Sequence, residues 1–292
     1  MSDITQTLSS GKGHADENFP VASMLVAPLH RDVVMKFYAV ARMADDVADH
    51  ATAAPAEKLA GLAAIEASLL GREQSVAAAV ALRDALLGRA ITTRHMLDLL
   101  EAFRRDVVKS RYADWAELMD YCRYSAAPVG RFMLDVHGES PSTWPASDAL
   151  CAALQVINHL QDCGKDYREI DRVYVPLDAL AAADLEVAAL GAARAAPALL
   201  TVLGALARRT QALLHEARPL RAMTRDLRLA LEIGVIHSLA EDLVQRLKHR
   251  DPLSQRVHHR KPEALGFALS GAVGVLAGRL FQARGASGIP QA

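Results

Sequence analysis

Two stretches decide the fold: Arg42-Met43-Ala44-Asp45-Asp46-Val47-Ala48-Asp49 and Asn158-His159-Leu160-Gln161-Asp162-Cys163-Gly164-Lys165-Asp166-Tyr167. Each holds an Asp-x-x-x-Asp pair, Asp45 with Asp49 and Asp162 with Asp166, inside a run whose apolar spacing is helical. A step of four residues turns an α-helix by ~400°, so each pair projects from one face, one turn apart. Like charges at that spacing destabilise an isolated helix by ~0.2–0.5 kcal/mol, so something should offset them. A hard divalent cation does this well, because Mg²⁺ takes oxygen ligands and typically uses one or two carboxylates plus substrate phosphates. Two such faces opposed across a cavity would clamp a diphosphate through bridging metal ions. The competing reading is two solvated helix faces. It suits a single pair better than two pairs, each set in apolar helix and each beside a base, Arg42 or Lys165.

The rest of the chain supplies the setting. Its 292 residues are 51% hydrophobic but only 5% aromatic, a soluble globular composition with an aliphatic, alanine-rich core. A formal net charge of -1 provides no global field to attract nucleic acid, and none is expected as a partner. Cys122, Cys151 and Cys163 are odd in number and form no CxxC, so no disulfide framework is implied and a reducing cytoplasm is expected. Residues 1–17 are polar, lack an apolar signal core and read as a flexible leader.

Apolar periodicity places helices over 31–50, 56–70, 74–87, 92–109, 114–137 and 147–167. Asp114 followed by Glu117 is a capping-box pattern, and Pro128 should kink the helix that follows. Residues 168–176 read as a loop after the second acidic face, followed by helices over 180–190, 196–217, 223–248 and 263–281. The apolar run at 264–277 is shorter than the ~20 residues a membrane span needs, so a buried terminal helix is expected. No period-2 run occurs. The expected class is all-α, one helical bundle around a central cavity, with a single domain over 18–283 and a flexible tail at 284–292.

Other residues fit the same chemistry. Arg42 stands one turn before Asp45, and Lys165, Arg168 and Arg172 follow Asp162; guanidinium groups suit phosphate oxygens. Tyr121 and Tyr124 sit in a helix rich in small residues, where an aromatic face can stabilise a carbocation beside an apolar chain. Tyr121, Ser125 or Asn158 could supply a polar group near the cavity end. No Glu-x-x-His occurs, which argues against a di-iron carboxylate bundle, and no GxGxxG, Walker A or GxSxG motif appears.

These pieces resemble the squalene/phytoene synthase family of head-to-head prenyl synthases. The matching residues are Phe37-Tyr38-Ala39-Val40-Ala41-Arg42 leading into Asp45–Asp49, then Tyr121-Cys122 and Val129-Gly130, then Gln155-Val156-Ile157-Asn158 leading into Asp162–Tyr167, and Arg172-Val173-Tyr174-Val175-Pro176. They span most of the chain in the family's order. Asp171 departs from the pattern, standing where the family usually has Gly, as do His159 and Leu160 beside Asn158. Glu17 to Ser23, Pro128 to Arg131 and the tail Arg246 to Leu253 are similar to the bacterial hopanoid-pathway branch, in which water rather than hydride ends the reaction.

The resemblance implies an isoprenoid synthase fold dependent on Mg²⁺ or, in its place, Mn²⁺, with no NADPH. It implies Asp45, Asp46, Asp49, Asp162 and Asp166 as metal ligands and Tyr121 beside the reacting carbons. Phe19, Tyr38, Arg42, Ser125, Gln155, Asn158, Lys165, Arg172 and Tyr174 would be the substrate-binding set. The implied substrate is presqualene or farnesyl diphosphate. Association with the inner face of the membrane is expected, along with functional coupling to a presqualene diphosphate synthase and a desaturase-like partner. The alternatives are joining of two prenyl diphosphates to presqualene diphosphate, squalene or phytoene; a non-catalytic prenyl-lipid binding or assembly protein; and a purely structural helical bundle.

Overall fold

The computed structural model describes residues 26–286; Phe19, the expected leader and residues 287–292 of the expected tail lie outside the described residues. The first half forms α1 (Pro28–Ala48), α2 (Pro55–Leu69), α3 (Ala77–Leu87) and α4 (Arg94–Val108). Both α1 and α2 open with proline at the first helical position, where a missing N–H costs nothing. Glu57 accepts the Ala54 N–H at 2.9 Å at the start of α2. The Asp114 side chain accepts the Glu117 N–H at 2.9 Å, capping α5 (Trp115–Ser125) as its capping-box spacing implies.

The single kinked helix expected over 114–137 is instead two helices, α5 and α6 (Ala127–Val136), separated at Ala126 with φ -126°. Pro128 has no N–H to donate to the Tyr124 carbonyl, and the chain leaves the helix just ahead of it. A 3-10 turn at Pro141–Thr143 leads into α7 (Trp144–Ile170), three residues longer at each end than its periodicity suggests. The helix expected over 180–190 is also interrupted. A short α8 (Leu177–Ala181) and a 3-10 turn (Val187–Gly191) flank Asp184, whose φ of 55° ends the helical path. Three further helices follow: α9 (Pro197–Ala217), a short α10 (Leu220–Met223) and α11 (Leu227–Leu247). The last described element is α12 (Lys261–Ala286).

Two hydrophobic cores result. One joins α1 to α4 with Phe132 and Val136 of α6; the other joins α5, α7, α9 and α11. Within the first core the rings of Phe37 and Phe132 stack 3.9 Å apart, tying α1 to α6. The α6 backbone approaches α7 closely at Gly130, where a Cβ would lie 2.4 Å from Ser147 Oγ and 2.6 Å from Cys151 Sγ. Among the described residues the three cysteines are free and no membrane-crossing helix occurs.

The expectation of a buried terminal helix is corrected. Gly271 and Val275 of α12 pack on α11, where Gly234 lets the two backbones approach. Leu269, Val273 and Leu276 lie on the opposite face and are 60%, 63% and 46% exposed. Only one layer of the bundle lies beneath the helix, so an apolar sequence does not ensure burial on both sides.

The loop after α7 is anchored by backbone hydrogen bonds. Val173 N donates to Ser110 O at 2.8 Å and Leu177 N to Tyr112 O at 3.0 Å. Asp171 turns the chain out of α7 at φ 49° and ψ 40°, a left-handed conformation that aspartate tolerates better than most residues. Arg111 secures it, donating to the Asp171 carboxylate at 2.5 Å. Asp171→Gly should therefore preserve stability, whereas Asp171→Val should lose ~1–2 kcal/mol because a β-branched residue is strained there. Chemical denaturation of both variants checks this, and equal stabilities would contradict a left-handed residue 171.

Candidate active site

A cavity of about 380 Å³ opens between the two cores. From α1 and its C-cap residue Asp49 it receives Phe37, Tyr38, Ala41, Arg42, Asp45 and Asp49, which recur at helical spacing along one face. From α4 come Leu99, Ala102, Phe103 and Asp106; Tyr121, Ser125 and Val129 come from α5 and α6. The opposite wall is Gln155, His159, Asp166 and Ile170 of α7 together with Arg172 and Tyr174 of the following loop. One part of the lining is thus charged and the remainder largely apolar.

Most of the expected site residues meet here. Arg42 donates to Asp45 at 2.9 Å, and its second terminal nitrogen lies 3.4 Å from Asp46. Asp46 itself is buried and off the cavity wall. Arg172 donates to Asp49 at 3.1 Å, to the Asp106 carbonyl at 3.2 Å and to the Tyr174 hydroxyl at 3.4 Å. Tyr121 lines the cavity and donates from its hydroxyl to Asp106 at 2.8 Å. Tyr124 instead packs beneath the Arg105 guanidinium, 4.1 Å from its ring centre. Asp162, Asn158 and Lys165 are not on the cavity wall; Lys165 is exposed.

Asp106 and His159 complete the wall and were not among the expected site residues. The signal for Asp106 lay in the sequence: it continues the i, i+3, i+4, i+7 face of Leu99, Ala102 and Phe103, so an acid occupies an apolar stripe. His159 stood out only as unusual beside Asn158. Its ring stacks on Tyr174 with 3.4 Å between centroids.

Four carboxylates, Asp45, Asp49, Asp106 and Asp166, face two guanidinium groups, Arg42 and Arg172. Burial dominates the titration of two of these acids. Burial raises Asp106 to about 7 against the opposing pull of Arg172. Burial, then the charge of Asp162, raises Asp166 to about 7 as well. These donors suit Mg²⁺, being oxygen groups with unneutralised charge. Among the described residues no three His, Cys, Asp or Glu side chains are gathered closely enough to hold a metal alone. That arrangement suits an ion whose remaining ligands are water and substrate phosphate rather than a closed protein cage.

An α-helical cavity with Asp45 and Asp49 on one wall and Asp166 on the facing wall suits a prenyl diphosphate-processing synthase. Residues 12–263 match the family model for squalene/phytoene synthase, and the chain belongs to that family. It is 57% identical over 251 residues to the hydroxysqualene synthase of Rhodopseudomonas palustris, covering 86% of each chain. With the hydroxysqualene synthase of Zymomonas mobilis it shares 52% identity over 276 residues, covering 94% of this chain and 92% of the relative. Its fold is similar to the crystal structure of squalene synthase HpnC from Alicyclobacillus acidocaldarius, with a TM-score of 0.71 and 31% identity over 84% of this chain and 93% of that one.

The two raised carboxyls give stability a definite pH slope. Unfolded aspartate titrates near ~4, so between ~4 and ~7 each of these two carboxyls binds more protons in the folded chain than in the unfolded one, and its contribution to stability falls as pH rises. Asp106→Asn removes one of the two contributions. Between about pH 5 and about pH 8 its melting temperature should fall less than that of the parent chain in thermal melts without added metal. Parallel slopes would show that Asp106 is not buried as a carboxyl.

Proposed function

We propose that this chain converts presqualene diphosphate and water to hydroxysqualene and diphosphate. The observation that carries this reading is the junction of a carboxylate–arginine cluster with an apolar lining in one cavity, in a chain more than half identical to relatives named for that product. Asp45, Asp49 and Asp166 would hold Mg²⁺ or Mn²⁺, with Asp46 and Asp162 behind them on the same two helices. Bound there, the metal would supply electrostatic stabilisation of the leaving diphosphate. Arg42 and Arg172 would bind the diphosphate oxygens, with Lys165 adding positive field from outside the wall. Phe37, Leu99, Phe103 and Val129 would exclude water from the cation while it rearranges. The product contains no added hydride, so the reaction needs no NADPH.

Purified protein with Mg²⁺ should release diphosphate from presqualene diphosphate without NADPH and place ¹⁸O from labelled water in the product hydroxyl. Asp45→Asn and Asp166→Asn should each lower turnover at least ~10³-fold while leaving the circular dichroism spectrum unchanged. Turnover within a few-fold of the parent at saturating Mg²⁺ would overturn the metal assignment. Accumulation of presqualene diphosphate from farnesyl diphosphate would overturn the reaction and leave that assignment standing.

The exposed face of α12 supports a location for this chemistry. Leu269, Val273 and Leu276 form an i, i+4, i+7 stripe. Arg250, Arg256 and Arg260 are exposed just before the helix. Towards its other end Arg279 donates to the Thr224 and Arg225 carbonyls, beside the exposed Arg225 and Arg228. An apolar stripe flanked by arginines suits an anionic bilayer surface, which supports peripheral attachment at the inner face of the membrane. The protein should float with anionic vesicles but not with neutral ones, and Val273→Glu should weaken this about tenfold. Equal partition to both vesicle types, or no effect of the substitution, would contradict it.

A further inference from the structure

His159 has no assigned part in the reaction proposed above, yet its surroundings distinguish it. It lies on the cavity wall, on the α7 face that also carries Gln155 and Asp166. Stacking on Tyr174 at 15° between planes fixes the ring. Its Nε2 is buried and meets no hydrogen-bond partner, and Ser125 Oγ on the same cavity is likewise unmatched. Buried polar atoms are rarely left without partners, because desolvation without a hydrogen bond is costly. Phenylalanine would fill the same place, stack on the same tyrosine and incur no such cost. Two unmatched polar atoms among the residues lining one cavity suit a small polar reactant, and a held water needs two or more polar partners.

We propose that His159 holds the water that ends the reaction and accepts its proton. This rests on the reaction proposed above. Diphosphate leaves with the electron pair of the carbon–oxygen bond. The water oxygen then gives a lone pair to the final carbocation, and a carbon–oxygen bond forms. One O–H bond breaks, its electrons remain on oxygen, and the proton goes to the imidazole lone pair. The imidazolium returns that proton to solvent as the alcohol departs, so no oxidant or reductant is needed.

The environment matches the task. Burial, then the Arg172 charge, lowers the His159 pKa to about 3, so the ring is neutral and keeps one nitrogen lone pair. An alkyloxonium ion is a strong acid and gives up its proton even to a weak base. A stronger base at this position would instead take a proton from the carbocation and divert it to a polyene. A weakly basic acceptor therefore favours the alcohol.

The test is the product ratio. The parent chain, His159→Phe, His159→Leu and His159→Gln are given presqualene diphosphate and Mg²⁺ in ¹⁸O-water, and alcohol and hydrocarbon products are separated by mass spectrometry. The Phe and Leu variants should still release diphosphate, but their ratio of alcohol to hydrocarbon should fall about tenfold. Gln, whose amide oxygen can accept a hydrogen bond, should recover most of the alcohol. The ratio is taken per turnover, so a lower folded fraction does not alter it, and Leu serves if Phe fails to fold. An unchanged ratio in Phe or Leu overturns the inference. Equal loss in Gln overturns it too, because the ring would then act only by stacking. If the parent chain makes no alcohol from presqualene diphosphate, the proposed reaction itself fails.

Discussion

Arg172 is the interaction on which the site depends. It leaves the loop after α7, and its guanidinium reaches Asp49 on α1, the Asp106 carbonyl on α4 and the Tyr174 hydroxyl. Asp49 and Arg172 are 123 residues apart in sequence, and the Arg172 side chain is only 11% exposed. A charge buried to that extent loses most of its hydration, which only close pairing and further hydrogen bonds offset. The cost falls on one residue, while the gain is shared by three elements, α1 and α4 of one core and the loop after α7 of the other. The Val173 to Ser110 hydrogen bond and the left-handed Asp171 hold the backbone in place for this contact.

The charge excess at this end explains the division of the cavity. Burial, with neighbouring carboxylates adding to it, holds Asp106 and Asp166 well above their ordinary range. The apolar walls supply that burial. Phe37 stacked on Phe132, and Gly130 closing α6 onto α7, fix the helices that present the acids. The same helices carry the aliphatic lining, so the polar and apolar parts of the cavity cannot shift independently. A ligand with a diphosphate head and a hydrocarbon body matches that division.

Helix periodicity was legible through most of the chain, and it failed where local chemistry intervened. Pro128 divides one expected helix into two because its missing N–H is felt a full turn earlier. Asp184 interrupts another by adopting positive φ, which no hydrophobic pattern records. In α12 the sequence is apolar on both faces, and composition cannot tell one covered face from two; the packing at Gly234 and Gly271 covers only one.

The sequence by itself determined the all-α class, the helices bearing the acidic pairs and the family, because each follows from spacing within a single helix or from motifs in a fixed order. Arg42 with Asp45 was likewise readable, since partners one turn apart must meet. Only the tertiary structure decided that Arg172 reaches Asp49, that Asp106 joins the charged wall and that His159 presents an unmatched nitrogen there. It also separated Asp166, on the cavity wall, from Asp162, one turn away and off it. Those facts depend on which helices become neighbours and how closely, and that is set by the packing of two cores across more than a hundred residues of sequence.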